Sequence, residues 1–361
     1  MTLPPAPAPG RRSASAAQKP RLPWVDVAKG IAITLVVLHH AWQFLGATGW
    51  SVAWYDAVDV ALTTLRMPLF FTVSGLLAAS IVTMDFKTLF RKKLALLLYL
   101  YLLWSLVRTV IFSFVPWPLS DFDPLGNFFL ALVWPSSGLW YLYALVLFTT
   151  IAWLTRRMPR WIVVGAATLL SVAFAATSLS TNLWTWDAMI VYLPFFLAGM
   201  SWRAAIIDFV AREKWWLPTV LIVAYLAIEA VVLLTGRGVG LSRIPVSALA
   251  VVAGLTLSAQ IATTWAGRGL STLGRQTLPI YVQHPIVIAI VVFVVPPILP
   301  GWVALFVVAA FAIAVSLLLH RLLNRFPGVY TLPTGRKRLA TPPEQPLGPG
   351  AGERRRDQTR S

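Results

Sequence analysis

Cysteine is absent from the 361-residue chain, which excludes structural disulfides, thiolate metal sites and a covalent cysteine nucleophile. Histidine is nearly as scarce. Four occur, none in the HExxH or similar spacing of a dedicated zinc or iron site, so no metal is expected. Only 12% of residues are charged, and 13 acidic residues face 30 basic ones. In a soluble protein that excess would point to nucleic acid. Here the basic residues fall between apolar segments and in the tails, so nucleic acid is not the expected partner. Hydrophobic residues make up 58% of the chain, far above the level of a soluble globular domain, and they mark a polytopic membrane protein with the lipid bilayer as its surroundings.

Apolar runs of membrane-spanning length lie near 25–46, 57–82, 92–115, 138–155, 161–179, 187–206, 215–235, 245–265, 277–296 and 301–323. The expected fold is therefore all-α, with about ten transmembrane helices between residues 21 and 326. Residues 1–20, rich in Pro, Ala and Ser with Arg11, Arg12 and Lys19, read as a disordered basic tail and not as a signal peptide. Residues 327–361, with Arg336 to Arg338 and Arg354 to Arg356, read as a second one.

Basic residues recur in alternate loops: Lys87 with Arg91 to Lys93, Arg156 with Arg157 and Arg160, Arg203 with Arg212 and Lys214, then Arg268 with Arg275. The intervening loops carry Asp56, Asp121, Asp123 and Asp187, with Arg237 and Arg243 as exceptions. That alternation predicts both termini in the cytoplasm and a place in the plasma (inner) membrane. The longest outer connection, Pro116 to Gly138, carries Trp117, Phe122, Phe128, Phe129 and Trp134 and is placed to cap a site.

The first span brings polar groups into an apolar run. Asp26, Lys29, Ile33, Val36 and His40 fall along one stripe of an ideal helix, while His39 points elsewhere. Lys29 and His40 then share a face roughly 16 Å apart, room enough for a ligand between them. Asp26 is one helical turn from Lys29 and is expected to pair with it.

Several stretches in order resemble acyltransferase family 3, integral membrane enzymes that move acyl groups onto sugars and related hydroxyl acceptors. DVAKGIAITLVVLHH is similar to the family's opening pattern of an acidic residue, then Arg or Lys, then an intramembrane histidine, with Asp26, Lys29 and His40 in those places. RMPLFFTVSGLL, with Phe70, Phe71, Ser74 and Gly75, resembles its second span, and FRKKLALLLY its basic cluster before the third. GLWYLYALV around Trp140 and Tyr143, YLPFFLAGM around Gly199, and GRQTLPIYVQH ending in His284 also resemble family segments. Lys29 stands where many members have arginine, which keeps the charge but loses the bidentate fork. With no soluble hydrolase-like domain after the last span, the standalone form is expected.

The resemblance implies transfer from acyl-CoA, above all acetyl-CoA, to a hydroxyl of a carbohydrate or glycosylated acceptor, with no permanently bound cofactor. Such transfer needs a base for the hydroxyl proton and donors for the oxyanion on the thioester carbonyl. His40 is the expected base, because a neutral imidazole is far cheaper in a membrane than a fixed charge and titrates near working pH. His39 is expected to pack or orient.

Lys29, Arg91, Lys92 and Lys93 are expected to hold the donor's phosphates, although the positive-inside rule alone also explains such a cluster. Arg66, beside the helix-distorting Pro68, is read as an oxyanion or substrate contact or as a structural ion pair. Arg108 and Glu229 are expected to be paired or to snorkel. Ser74 suits close packing better than nucleophilic attack, and His284 with Tyr281 is a candidate orienting pair. Two other classes fit parts of the pattern: a proton-coupled transporter or flippase, and a non-catalytic membrane partner whose basic tails dock on anionic lipid.

Overall fold

The computed structural model describes residues 22–50, 52–119, 123–131, 133–135, 138–235, 240 and 242–333. The expected tail 1–20, residues 334–361 of the second tail, and Asp121, Phe122 and Arg237 in the loops lie outside the described residues.

Helix α1, Pro23–Ala47, opens on a proline in its first turn, where the missing N–H costs nothing, and sets Asp26 against the free amides of that turn. Then come α2 (Asp56–Ala78) and α3 (Phe86–Phe112), the latter with one π-helical turn, Phe90–Leu94, that carries Arg91, Lys92 and Lys93. The short α4 (Pro124–Leu130) is capped by Asp123, which accepts from the Gly126 N–H at 3.1 Å. The chain continues through α5 (Trp140–Leu154), α6 (Arg160–Ala176), α7 (Trp184–Ser201), α8 (Arg203–Ala211), α9 (Leu217–Thr235) and α10 (Arg243–Ile261). It ends with α11 (Trp265–Arg275), α12 (Thr277–Val294) and α13 (Gly301–Leu323).

Nine of the ten expected apolar runs each fall on one helix and the run 187–206 on two, and the protein is an all-α polytopic membrane protein. Among the described residues seven helices are long and apolar enough to cross a bilayer: α1, α2 with its flanking turns, α3, α9, α10, α12 and α13. The α5 and α6 helices, at 15 and 17 residues, are shorter.

The expected unbroken run 187–206 needs correcting, because α7 and α8 meet at a 74° bend. Trp202 leaves helical geometry there, and the Arg203 Nε–H donates to the Leu76 carbonyl at 2.9 Å, tying the start of α8 to the end of α2.

A second correction is α11, which was expected to be loop. Thr264 caps it by accepting from the Gly267 N–H at 3.1 Å, and its buried side is Gly267, Ser271 and Gly274. Small residues carry little hydropathy, so a search for long apolar runs passes over them. They do allow close approach: a Cβ on Gly274 would strike the Asp26 carbonyl, and one on Gly30 the Leu270 carbonyl, so α11 lies directly on α1. The α2–α7 crossing works the same way, with Gly75 against the Phe196 carbonyl and Gly199 against that of Thr72.

Residues 327–333, assigned from sequence to the second tail, fold back on the bundle. Tyr330 is buried there, accepting from the Gln283 amide and stacking on Trp104, whose indole N–H donates to the Val329 carbonyl at 3.2 Å.

Candidate active site

The C-terminal half of α1 faces a cavity of about 610 Å³. Val36, His39, His40 and Gln43 all line it, at the three- and four-residue spacing of one broad helix face. His39, expected to point elsewhere, therefore shares the cavity with His40, because the space is wide enough to meet side chains about 100° apart on the helix.

The His40 Nδ1 lies 2.9 Å from the Val36 carbonyl, which accepts and so fixes the proton on that nitrogen. Across the cavity's edge, His284 Nδ1 lies 2.8 Å from the Ile280 carbonyl, and its Nε2 lies 3.3 Å from His40 Nδ1. With both Nδ1 atoms protonated, the His284 Nε2 accepts a share of the His40 proton and the His40 Nε2 keeps a lone pair. Pro285 follows His284 within α12 and removes one backbone donor from that turn. His284 is fully buried and does not line the cavity; it braces His40. Tyr281 does line it. Its hydroxyl donates to the Gly138 carbonyl at 2.9 Å and accepts from the Tyr141 N–H at 3.1 Å, joining α12 to the start of α5.

His39 is held differently. Its Nδ1 is 2.9 Å from each carboxylate oxygen of Asp59, and the Arg66 Nη1–H donates to Asp59 Oδ1, also at 2.9 Å. Asp59 and Arg66 lie two turns apart on α2 and are 3% and 4% exposed, so the carboxylate is a buried bridge between an imidazole and a guanidinium. Arg66 forms the structural ion pair, and it also lines the cavity. Asp59 was missed from sequence, although an acidic residue seven positions before an intramembrane arginine, on the same helix face, was available as a signal.

The outer walls are aromatic. Trp117, Trp140, Trp184 and Tyr192 line the cavity, with the Trp140 and Trp184 rings edge to face at 5.5 Å. Arg243 reaches in from the start of α10 and donates to the Tyr192 hydroxyl at 3.2 Å. Asp187 closes the 180–182 turn, accepting from the Ser180 and Thr181 hydroxyls and the Thr181 N–H. Trp117 comes from the Pro116 to Gly138 connection and lines the cavity.

Arg108 corrects its sequence reading. It is 2% exposed, and its two Nη atoms have no hydrogen-bond partner among the described residues, so it neither snorkels nor pairs with an acid there. Instead its guanidinium lies over Phe112 and Trp117, with the carbon 5.2 and 4.8 Å from the ring centroids, and Gly138 leaves it space. Glu229 accepts from the Thr64 hydroxyl at 2.6 Å. The Ser74 hydroxyl donates to the Phe70 carbonyl and accepts from Tyr141, and Ser74 itself does not line the cavity.

At the other end of α1, a second cavity of about 320 Å³ is lined by Asp26, Lys29, Leu76 and Arg203, among others. Lys29 Nζ is 3.4 Å from Asp26, the expected pair, and Arg203 is a cation that sequence reading treated only as a topology signal. Arg91, Lys92 and Lys93 are exposed and line neither cavity, so the structure does not bring them to Lys29. The two cavities share no lining residue, and Ile33 on the α1 stripe between them is fully buried.

Residues 22–321 match the family model described as an acyltransferase domain, that of acyltransferase 3. The chain is also similar to the nodulation protein NolL of Mesorhizobium japonicum, 28% identical over 238 residues. That match covers 63% of this chain and 60% of NolL, so the chain spans less than two thirds of that relative's length. No solved structure matches.

Proposed function

This chain belongs to the acyltransferase 3 family and is a membrane acyltransferase, and from that premise we propose that it moves an acyl group, acetyl foremost, from acyl-CoA to a hydroxyl of a carbohydrate or glycosylated acceptor. The observation that carries this reading is the pair of imidazoles on the 610 Å³ aromatic-walled cavity, each with Nδ1 engaged by a partner on its own side. Sugar rings stack on flat aromatic faces while their hydroxyls need donors and acceptors. Trp140, Trp184 and Tyr192 beside Gln43 and Arg243 supply both kinds of contact.

The donor's charged end belongs at the opposite end of α1. Lys29 and Arg203 meet in the smaller cavity, where charge-assisted hydrogen bonds would hold phosphate. By the loop-charge rule that end faces the cytoplasm, and the histidine cavity opens toward the outside of the plasma (inner) membrane. The 16 Å or so along α1 from Lys29 to His40 is a span for the donor's pantetheine arm, and reaching the imidazoles requires the side chains around Ile33 to move aside. That His40, Tyr281 and Arg66 line one cavity supports this reading; the Arg91 to Lys93 cluster is left to topology.

The test compares membranes holding the wild-type protein, His40→Ala and Lys29→Met for thiol release from acetyl-CoA, alongside mass spectrometry of cell-envelope glycans. Because the chain has no cysteine, a thiol reagent reads released CoA without a background from this protein. The expected result is an added acyl mass in the wild type and none in His40→Ala, while Lys29→Met keeps activity with about a tenfold higher KM for the donor, the loss of one charge-assisted contact. Uptake of a substrate driven by a proton gradient, with no thiol release from any donor, would overturn the reading in favour of a transporter.

A further inference from the structure

Resting on the acyl-transfer reading above, we infer that His39 is the catalytic base for the acceptor hydroxyl, that Asp59 is its positioning carboxylate, and that His40 is the neighbouring acceptor that orients that hydroxyl.

The two imidazoles are unequal in what stands behind them. His40 is backed by the neutral Val36 carbonyl and by the neutral ring of His284. His39 is backed by both oxygens of a buried carboxylate at 2.9 Å. A base that takes a proton becomes a cation, and inside a membrane that cation survives only if a counter-charge is already in place. Asp59 supplies it and also fixes the tautomer, holding the proton on Nδ1 so that Nε2 carries the lone pair. The His39 side chain keeps 17% of its surface accessible and lines the cavity, which gives the imidazole access to a ligand.

The charged and titratable groups around His39 are Asp59 and Arg66 on α2, His40 on its own helix, and His284 from α12 behind His40. Arg66 donates to one of the Asp59 oxygens, the charge-assisted contact that suits a carboxylate. His39 then completes a charge-neutral arrangement: neutral imidazole, carboxylate and guanidinium.

In the step itself the acceptor O–H bond breaks and its proton moves to His39 Nε2. The freed oxygen bonds to the thioester carbonyl carbon, and the tetrahedral intermediate collapses with loss of the C–S bond. The CoA thiolate leaves and takes the proton back from Nε2, so neutral His39, free thiol and the ester are the products. His40, 5.3 Å away ring to ring, accepts no proton in this sequence.

The experiment measures thiol release and acyl transfer by wild type, His39→Gln and Asp59→Asn between about pH 6 and 9, the range over which an imidazole base titrates. Glutamine can still donate to Asp59 but has no basic nitrogen, so His39→Gln is expected to lose about 100-fold or more in kcat with little change in donor KM. Asp59→Asn is expected to lower the plateau and to move the acid limb of the rate profile to lower pH, a shift a merely structural role would not produce. Imidazole added to His39→Ala is expected to restore part of the rate. An active wild type beside a His39→Gln protein with unchanged kcat would overturn the assignment while leaving the acyltransferase reading standing. If His39→Gln does not accumulate, an unshifted acid limb in Asp59→Asn overturns it instead. A wild type inactive with every donor refutes the parent reading.

Discussion

Replacing Asp59 by alanine removes the acceptor from two cations or potential cations at once, Arg66 and His39. Arg66 is 4% exposed and donates to Asp59 at 2.9 Å. Its guanidinium would be left buried without its carboxylate. Breaking a buried pair from one side costs about 3–5 kcal/mol, whereas replacing both partners by apolar side chains is often neutral or stabilising. Asp59→Ala should therefore lose about 3–5 kcal/mol, and Asp59→Leu with Arg66→Met should recover most of it. The expected coupling of about 3 kcal/mol corresponds to roughly a hundredfold in the folding equilibrium. The assay is unfolding of the purified protein by a denaturing detergent in mixed micelles, followed by the fluorescence of its 17 tryptophans. If the single and double variants were destabilised equally, Arg66 would not depend on Asp59 for its charge balance, and the buried bridge would be refuted.

The remaining expectations concern packing and pH. Gly75→Ala and Gly199→Ala each drive a Cβ into a carbonyl of the facing helix, and each should cost about 1–3 kcal/mol or more in the same assay. Gly165→Ala, whose Cβ meets nothing, should instead gain up to about 1 kcal/mol from helix propensity. Glu213 lies between α8 and α9, outside the spanning segments, and burial pushes its carboxyl up to about 7. Its Oε2 is buried with no hydrogen-bond partner among the described residues. Because the folded state holds this proton more tightly than the unfolded chain, the contribution is fully present below the unfolded value of 4.5 and is lost as pH rises through about 7. Glu213→Gln should stabilise the protein at about pH 8 and leave it unchanged at about pH 4, a difference that thermal unfolding at the two values would detect.

The Arg108 guanidinium has no acid beside it among the described residues, yet the rings of Phe112 and Trp117 receive it. Phe112 lies one helical turn beyond Arg108 on α3, a spacing legible in the sequence, whereas Trp117 comes from the connection after the helix. Cation–π contact needs a ring placed within about 6 Å of the charge, and no local sequence period places Trp117 there.

The sequence by itself determined the class of the protein, the position of each apolar helix and the stripe that joins Asp26, Lys29 and His40. These follow from hydropathy and from the 3.6-residue period, which are properties of neighbours along the chain. Tertiary structure decided which charges and imidazoles meet. His39 reached Asp59 across 20 positions, His40 reached His284 across 244, and Arg203 joined the cavity of Lys29 only because the chain bends by 74° at Trp202. It also decided the place of α11, whose small buried residues carry no hydropathy signal and acquire meaning only when the backbone of α1 lies against them.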